Sequence, residues 1–322
     1  MKSYRGFDDF PFVRESVPLS RMNTYRVGGT AEFFCEPPDA TALGEVLRRA
    51  ANDHISVRFL GHGTNLLVSD TGVKGLIIRL PKTGFGLLSS EPSAHHVRGD
   101  TLRLNVFAGY SLPRLVKWSV TQGLSGLECL QGVPGTLGAA LRMNAGGKYG
   151  EIRSTVRRVR GFDFEGRPFD FCAEQCGFVY RGSALSGRIV TDCELELSRG
   201  DAASGKQVMD RILKEKCATQ PVDARSAGCV FKNPKLAGVP AAGKLIDDLG
   251  MKGMRIGGAS VSTLHANFLI CEGAAQASDI AELIRLIRAR VFSERGIALQ
   301  MEVEAWGFAE YELIPACCIN AA

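Results

Sequence analysis

Seven glycines lie between Gly126 and Gly150, interleaved with Leu, Val, Pro, Met and Asn in place of the serines of a flexible linker. Such a stretch lets a backbone turn tightly and lie against a flat or anionic group with no side chain in the way. Leu137 to Asn144 reads as one or two helical turns whose glycine-marked entry offers free backbone N–H groups to a phosphate. An earlier loop, Gly61-His-Gly-Thr-Asn65, has the same character and follows a short apolar strand. Gly61 and Gly63 permit close approach, and Thr64 and Asn65 carry short side chains that can donate to phosphate oxygens. A lone Gly-x-Gly after a strand is equally well a plain turn. It is not the dinucleotide fingerprint, because no third glycine follows at the right place and no helix begins there. No segment matches Gly-x-x-x-x-Gly-Lys-Ser/Thr either. Two such loops in one chain are more specific than either alone, and together they point to one large phosphate-bearing cofactor.

The elements that must hold these loops follow from local chemistry. Asp39, after two prolines, caps a helix over residues 40–52. Residues 56–60 form an apolar strand that feeds the first loop, and 73–80 form another. Residues 102–108 alternate as a strand, and Ser111-Leu-Pro113 opens a helix with proline in its first turn that stops at Gly123. Strands follow over 156–164, 168–172 and 188–197, and Arg153 to Arg160 reads as a half-exposed strand face. Gly200 to Gly205 has the composition of a linker, with a helix after it to about residue 218. Beyond it come a helix over 242–249, strands over 259–262 and 267–271, a long helix capped by Ser278 and ending at Arg295, and a last strand over 298–306. The order is α+β, with one boundary near Gly200 and a softer one within the first two hundred residues.

At 322 residues the chain exceeds the ~250–300 that one core supports. A net charge of +5 with no Lys/Arg block favours anionic small molecules over nucleic acid. The N-terminus lacks an apolar leader core, and no window approaches a membrane span. Ten cysteines are scattered without framework spacing: Cys172 and Cys176 are four apart, Cys317 and Cys318 are adjacent, and none pairs with His in a zinc pattern. No metal is expected, and unpatterned thiols fit a reducing compartment, the cytoplasm.

The chain resembles the UDP-N-acetylenolpyruvoylglucosamine reductase family over nearly its whole length. The motifs are Asn23-Thr-Tyr-Arg-Val-Gly-Gly29, Leu60-Gly-His-Gly-Thr-Asn-Leu-Leu67, Gly132-Val-Pro-Gly-Thr-Leu-Gly138 and Asn144-Ala-Gly146. They continue through Tyr180-Arg-Gly-Ser183, Ala227-Gly-Cys-Val-Phe-Lys-Asn-Pro234, Ala242-Gly-Lys-Leu-Ile246, Ile256-Gly-Gly258, Ser262 to Phe268, and Glu302-Val-Glu-Ala-Trp-Gly307. The length is that of the shorter of the family's two types. The resemblance implies a vanillyl-alcohol-oxidase-like (PCMH-type) FAD-binding fold. Two FAD lobes would span 1–85 and 86–200, an α+β substrate lobe 201–307, and a tail 308–322. It also implies dissociable FAD, NADPH as electron donor, a UDP-sugar substrate, and a monomer or weak homo-oligomer. The FAD would lie along Gly61, Gly63, Thr64, Asn65 and Leu66, and against Gly135, Thr136, Asn144 and Gly146, with Tyr25 and Arg26 lining the cleft. His62, the one obvious tether in that loop, belongs with phosphates rather than with a flavin ring.

The implied chemistry needs a cation, a proton donor and a partner for a carboxylate. By motif position these are Arg181, Cys229 and Glu302. Relatives mostly carry serine where this chain has Cys229, and a thiol, with a reference pKa of ~8.5, is a chemically sound proton donor. Glu302 shares the last strand with Glu304, two residues apart and hence on one face; the motif selects Glu302, protonated where buried. Gln220, Lys232 and Asn233 are candidates for the substrate diphosphate, and His265 with Asn267 for bracing the substrate lobe. Thr219 stands where several relatives have lysine, which leaves Lys214, Lys216, Lys244 and Lys252 as open alternatives. Ala139 stands where glycine is usual. Two other readings compete: a flavin oxidase of the same fold acting on a hydroxy acid or sugar, and a non-catalytic FAD-binding redox sensor whose thiols include Cys229 and the Cys317-Cys318 tail.

Overall fold

Asp39 Oδ1 accepts the Ala42 N–H at 2.8 Å, and from that cap helix α1 runs over Ala40–Asn52, as its sequence requires. Its inward stripe of Leu43, Val46, Leu47 and Ala50 is fully sequestered. Pro113 likewise sits in the first turn of α2, Leu112–Thr121, and Gly123 takes the left-handed φ of +68° just past its end. These elements belong to a computed structural model that describes residues 7–81, 84–85, 88–89, 93–98 and 100–318, the three short stretches as backbone only. The first six residues of the N-terminal segment and the last four of the tail lie outside the described residues.

By compactness the chain forms two units, residues 1–15, 33–62 and 75–215 in the first and 16–32, 63–74 and 216–322 in the second. In the first unit an antiparallel sheet runs in the order Pro168–Cys172, Val156–Asp163, Arg188–Arg199, Thr101–Phe107, Ser93–Arg98. Val159, Cys193 and Val106 lie in register across it, all buried. They join α1, α2 and the short helix α3, Leu137–Arg142, in one apolar core. Val57–Phe59 lies parallel to residues 76–78 and delivers the chain to Gly61.

The second unit has its own core. A three-stranded antiparallel sheet, Arg255–Ile256, Ala259–Val261 and Leu269–Cys271, packs with α5, Ala242–Asp248, and α6, Ala277–Arg295. Leu66–Val68 pairs in parallel with Glu304–Trp306, and the short helix α7, Glu310–Leu313, packs on α6.

Four local expectations are corrected. The linker-like segment 200–205 is instead the start of helix α4, Ala202–Thr219, because the Asp201 carboxylate accepts both the Ser204 N–H (2.8 Å) and its hydroxyl (2.7 Å). Helix α6 is capped by Gln276 with Asp279 in a capping box, and Ser278 lies inside the helix. The Ala277 and Ser278 N–H groups are taken by the Asp70 carboxylate at 3.0 and 2.9 Å. The last strand is only Glu304–Trp306, because the Glu302 and Val303 N–H groups both turn to the Val230 carbonyl, at 2.8 and 3.3 Å. Glu302 therefore lies outside the strand, and strand alternation does not relate it to Glu304. The entry to α3 is the fourth. Its Leu137 and Gly138 N–H groups donate to the Tyr110 and Ala108 carbonyls, at 2.9 and 2.8 Å, and Ala139 N–H to Thr136 Oγ1. Those donors are spent on the fold and are not free for a phosphate.

Candidate active site

The two glycine loops abut within the first unit. A Cβ on Gly61 would sit 3.0 Å from Thr136 Oγ1 and 3.3 Å from Ala139 Cβ, so glycine lets the first loop lie against the second. Gly135, with φ of +113°, turns the second loop into Thr136, and its carbonyl accepts the Leu112 N–H at 3.0 Å. Ala139, in place of the usual glycine, fills the contact with Gly61. The remainder of the first loop belongs to the second unit. Gly63 needs its φ of +64°, since a Cβ there would strike the Met22 carbonyl and approach Asn23 Cα to 2.7 Å.

Arg181 occupies the third position of a tight turn, Val179 to Gly182, closed by reciprocal N–H to carbonyl bonds of 2.9 and 3.2 Å. Its φ is +56°, a left-handed conformation that such turns normally give to glycine or asparagine. Only five non-glycine residues adopt positive φ among the described residues, and Arg26, Asn144 and Arg181 are three of them. Strained backbone of this kind persists where the surroundings over-determine it. Here Asn144, itself at φ +45° and fully buried, donates through Nδ2 to the Val179 carbonyl at 3.1 Å and to Glu151 Oε2 at 2.9 Å. Arg181 Nη1 donates to the Gly146 carbonyl at 2.8 Å, and its guanidinium stacks 5.3 Å from the Tyr180 ring. The arginine is thereby held at both ends, by backbone and by side chain.

Cys229 and Glu302 come together in the second unit. Residues 229–232 run between two segments: Cys229 bridges Phe268, and Phe231 bridges Met301. Val230 N–H donates to the Asn267 carbonyl and Lys232 N–H to the Gln300 carbonyl, both at 2.8 Å. The buried Asn267 side chain clamps Phe231 in both directions, accepting its N–H at 2.9 Å and donating to its carbonyl at 2.8 Å. Glu302 is fixed by its N–H on the Val230 carbonyl, one residue beyond Cys229. On its other side Asn65 Nδ2 donates to the Glu302 carbonyl at 3.0 Å, and the Asn65 carbonyl accepts the Glu304 N–H at 3.0 Å. Both Cys229 and Glu302 are half-buried. Gly228, just before Cys229, takes the left-handed φ of +79°, with nothing within 4 Å of a would-be Cβ.

The remaining predicted residues divide by what they touch. Tyr25 is fully buried in the second unit's core and leaves no surface to line a cleft; burial, with Cys271 and Cys229 nearby, pushes its phenol far above the usual range and keeps it protonated. Arg26 is exposed at the tip of a turn built by Asn23, whose Oδ1 accepts the Arg26 N–H at 2.9 Å while Nδ2 donates to the Leu19 and Val27 carbonyls. Thr64 is half-buried, and Leu66 is buried in its strand. Asn233 Oδ1 accepts the Ala242 N–H at the start of α5, and Lys232 and Gln220 are half-buried. Lys244 and Lys252 pair with Asp248 and Asp247. His265 Nδ1 accepts the Asn267 N–H at 3.2 Å, and its ring meets Phe268 edge-on at 4.9 Å. Burial lowers its pKa, so it is a neutral brace. Asn23 is the residue whose importance sequence reasoning missed, while Asn267, expected with His265 to brace its lobe, does so by clamping Phe231. Asn23 stands inside a quoted motif, and an asparagine beside a tight turn was the available signal.

The residues present fit FAD. Two abutting glycine loops leave bare backbone for a ligand to lie against, and the buried Asn144 Oδ1 has no donor among the described residues, as suits a ligand hydroxyl or N–H. No cluster of three or more His, Cys, Asp or Glu that could hold a metal occurs among the described residues, and no described helix is long and apolar enough to cross a membrane. All ten cysteines are free thiols.

Comparison with known proteins assigns the rest. Residues 31–171 match an FAD binding domain, and residues 220–306 match the C-terminal domain of UDP-N-acetylenolpyruvoylglucosamine reductase. The reductase of Heliobacterium modesticaldum is 40% identical over 91% of this chain and 90% of its own. Reductase 2 of Symbiobacterium thermophilum is 38% identical over 92% of each chain. The crystal structure of the reductase from Thermus caldophilus superposes with a TM-score of 0.75 at 37% identity, covering 92% of this chain and all of that one. The fold is thus the expected mixed α and β FAD-binding one, the enzyme class is FAD-dependent oxidoreductase, and the chain belongs to the UDP-N-acetylenolpyruvoylglucosamine reductase family.

Proposed function

We propose that this protein reduces UDP-N-acetylglucosamine enolpyruvate to UDP-N-acetylmuramate, a cell-wall precursor, with NADPH as electron donor. The observation that carries the reading is the shared backbone seam of Cys229 and Glu302: one precedes Val230 on the segment bridged to Phe268, and the other donates its N–H to the Val230 carbonyl at 2.8 Å. FAD, held along the glycine loops, would supply the hydride chemistry that reduces the terminal CH₂ carbon of the enolpyruvyl group, with NADPH as the source of the two electrons. Negative charge then develops on the carbon bearing the carboxylate and spreads into it as an enediolate. The Arg181 guanidinium receives that charge, and Glu302 hydrogen-bonds beside it. The Cys229 thiol gives its proton to the same carbon. Asn65 holds the Glu302 segment, Asn267 holds the Cys229 segment, and Asn144 holds the turn of Arg181, so three buried or half-buried amides set the positions of the three reacting groups.

In this reading residues 1–85 and 86–200 serve the cofactor, 201–307 the substrate, and 308–322 form a tail. Gly61, Gly63, Thr64, Asn65, Leu66, Gly135, Thr136 and Gly146 follow the FAD, with Arg26 at the rim, while Lys232, Asn233 and Gln220 meet the diphosphate. FAD is dissociable, and the enzyme works in the cytoplasm as a monomer or weak homo-oligomer. The test is NADPH oxidation with and without the enolpyruvyl sugar nucleotide. Turnover that requires the nucleotide and yields UDP-N-acetylmuramate supports the assignment; oxygen-dependent turnover indifferent to it refutes the assignment.

A further inference from the structure

The Cys317-Cys318 pair lies outside the machinery just described. Both sit in the 3₁₀ turn Ala316–Cys318, with Cys317 exposed and Cys318 buried. Their Sγ atoms are 3.8 Å apart. Cys318 is anchored: its N–H donates to the Pro315 carbonyl at 2.8 Å, and its sulfur contacts the Arg288 carbonyl of α6 at 3.9 Å. Arg288, itself buried, donates to the Leu313 carbonyl of α7 at 3.1 Å. The buried sulfur is therefore held by the α6–α7 packing, and the exposed one stands beside it.

Two chemistries compete for such a pair. A disulfide needs sulfurs ~2.05 Å apart and Cα atoms ~4.4–6.8 Å apart. Adjacent residues across a trans peptide have Cα atoms only ~3.8 Å apart, so a disulfide here would break the turn. A bridging atom bonded to each sulfur leaves the two sulfurs unbonded to one another, so it needs them in contact and not at bonding distance. At 3.8 Å the two thiols stand in van der Waals contact, so a bridging atom need draw them only slightly closer. No third His, Cys, Asp or Glu joins the pair among the described residues, so an ion demanding four protein ligands does not suit it.

We infer that Cys317 and Cys318 form a vicinal dithiol site for a thiophilic centre satisfied by two protein sulfurs, namely a monosubstituted trivalent arsenical. Capture of an arsine oxide, R–As=O, balances without redox change. Two As–S bonds form, the As–O bonds break, and the two thiol protons leave with the oxygen as water. Cys317 reacts first because it is exposed, and Cys318 closes the ring. The other thiols do not compete as pairs in this way. Burial raises Cys318, as it raises Cys35 to about 12 and Cys176 and Cys271 to about 11, but Cys318 has the exposed thiol of Cys317 in contact with it; Cys217 is a single exposed thiol. Cys176 lies near both Cys172 and Cys193, but Cys193 is fully buried and Cys172 only half-exposed, so neither pairing offers a fully exposed thiol as Cys317 does.

The experiment titrates the full-length protein with phenylarsine oxide and follows bound arsenical by intact mass. One arsenical per chain should survive excess monothiol and be removed by 2,3-dimercaptopropanol. Cys317→Ser, at an exposed position, should weaken binding at least ~100-fold, as loss of a chelate does, while Cys172→Ser leaves it unchanged. Cys318→Ser should weaken it equally, with thermal melting confirming that this variant is folded. Retention of monothiol-resistant binding in Cys317→Ser, or its loss in Cys172→Ser, overturns the assignment. None of these outcomes depends on reductase activity.

Discussion

The turn that carries Arg181 and the seam that carries Cys229 and Glu302 reach similar rigidity by opposite means. The arginine is presented on strained backbone, at φ +56°, with an asparagine behind the turn and a carbonyl gripping its guanidinium. The thiol and the carboxyl group lie on extended chain whose own N–H and C=O groups are paired on both sides, and the special conformation is delegated to Gly228 beside them. A long cation can be aimed by its side chain, so its backbone may be bent to suit. A short thiol has no reach, and only the placement of its main chain can aim it.

The largest test of this contrast removes the groups themselves. Cys229→Ala should lower product formation by about 10³-fold or more while NADPH still bleaches the flavin in single-turnover absorbance, because only the proton donor is lost. Cys229→Ser should keep turnover within about tenfold and abolish inactivation by iodoacetamide. Next, Arg181→Ala and Arg181→Gly should each cost about 10²–10³-fold in kcat. The two should separate in stability: the glycine variant should be more stable than the alanine one by about 1 kcal/mol in urea unfolding, because glycine accepts positive φ. Equal stabilities would mean that the turn stores no strain. On the seam the penalty should be the reverse, stability before chemistry. Asn267→Ala strips two hydrogen bonds from buried Phe231 and should destabilise the protein by about 2–3 kcal/mol. A variant with unchanged denaturation midpoint would show that the clamp is dispensable.

The smallest effect concerns pH. Burial depresses the His265 pKa in the folded chain, so the unfolded chain binds the extra proton. Its contribution is complete above the unfolded value of about 6.5 and is lost as pH falls through that value towards the folded one. His265→Gln should therefore flatten the decline of the melting temperature below about pH 6.5, and an unaltered slope would assign that decline to other groups.

Much of the scaffold was readable because its causes are local. Asp39, Pro113 and Gly123 act within a turn of themselves, and the strands read over 156–164 and 188–197 appear as Val156–Asp163 and Arg188–Arg199. The misreadings share one origin, a partner far away in the chain. Ser278 looks like a cap until Asp70, 208 positions earlier, takes its N–H. Glu302 looks like strand until Val230 draws two successive N–H groups to one carbonyl. The α3 entry looks like a phosphate seat until the Tyr110 and Ala108 carbonyls consume its donors. Segment 200–205 is the exception: Asp201 and Ser204 spelled a cap, and the glycines around them disguised it.

Residue order alone determined the glycine loops, the helix starts and stops, the family motifs and thus the kind of cofactor, since each rests on short-range sterics or on types at fixed spacing. Only the tertiary structure decided that Asn65, Asn144 and Asn267 would each clamp the segment of a proposed reacting group, and that Gly61 would meet Thr136 and Ala139. An amide can bond to any carbonyl within about 3 Å, and which carbonyl arrives there is settled by packing of distant chain, not by neighbours in sequence.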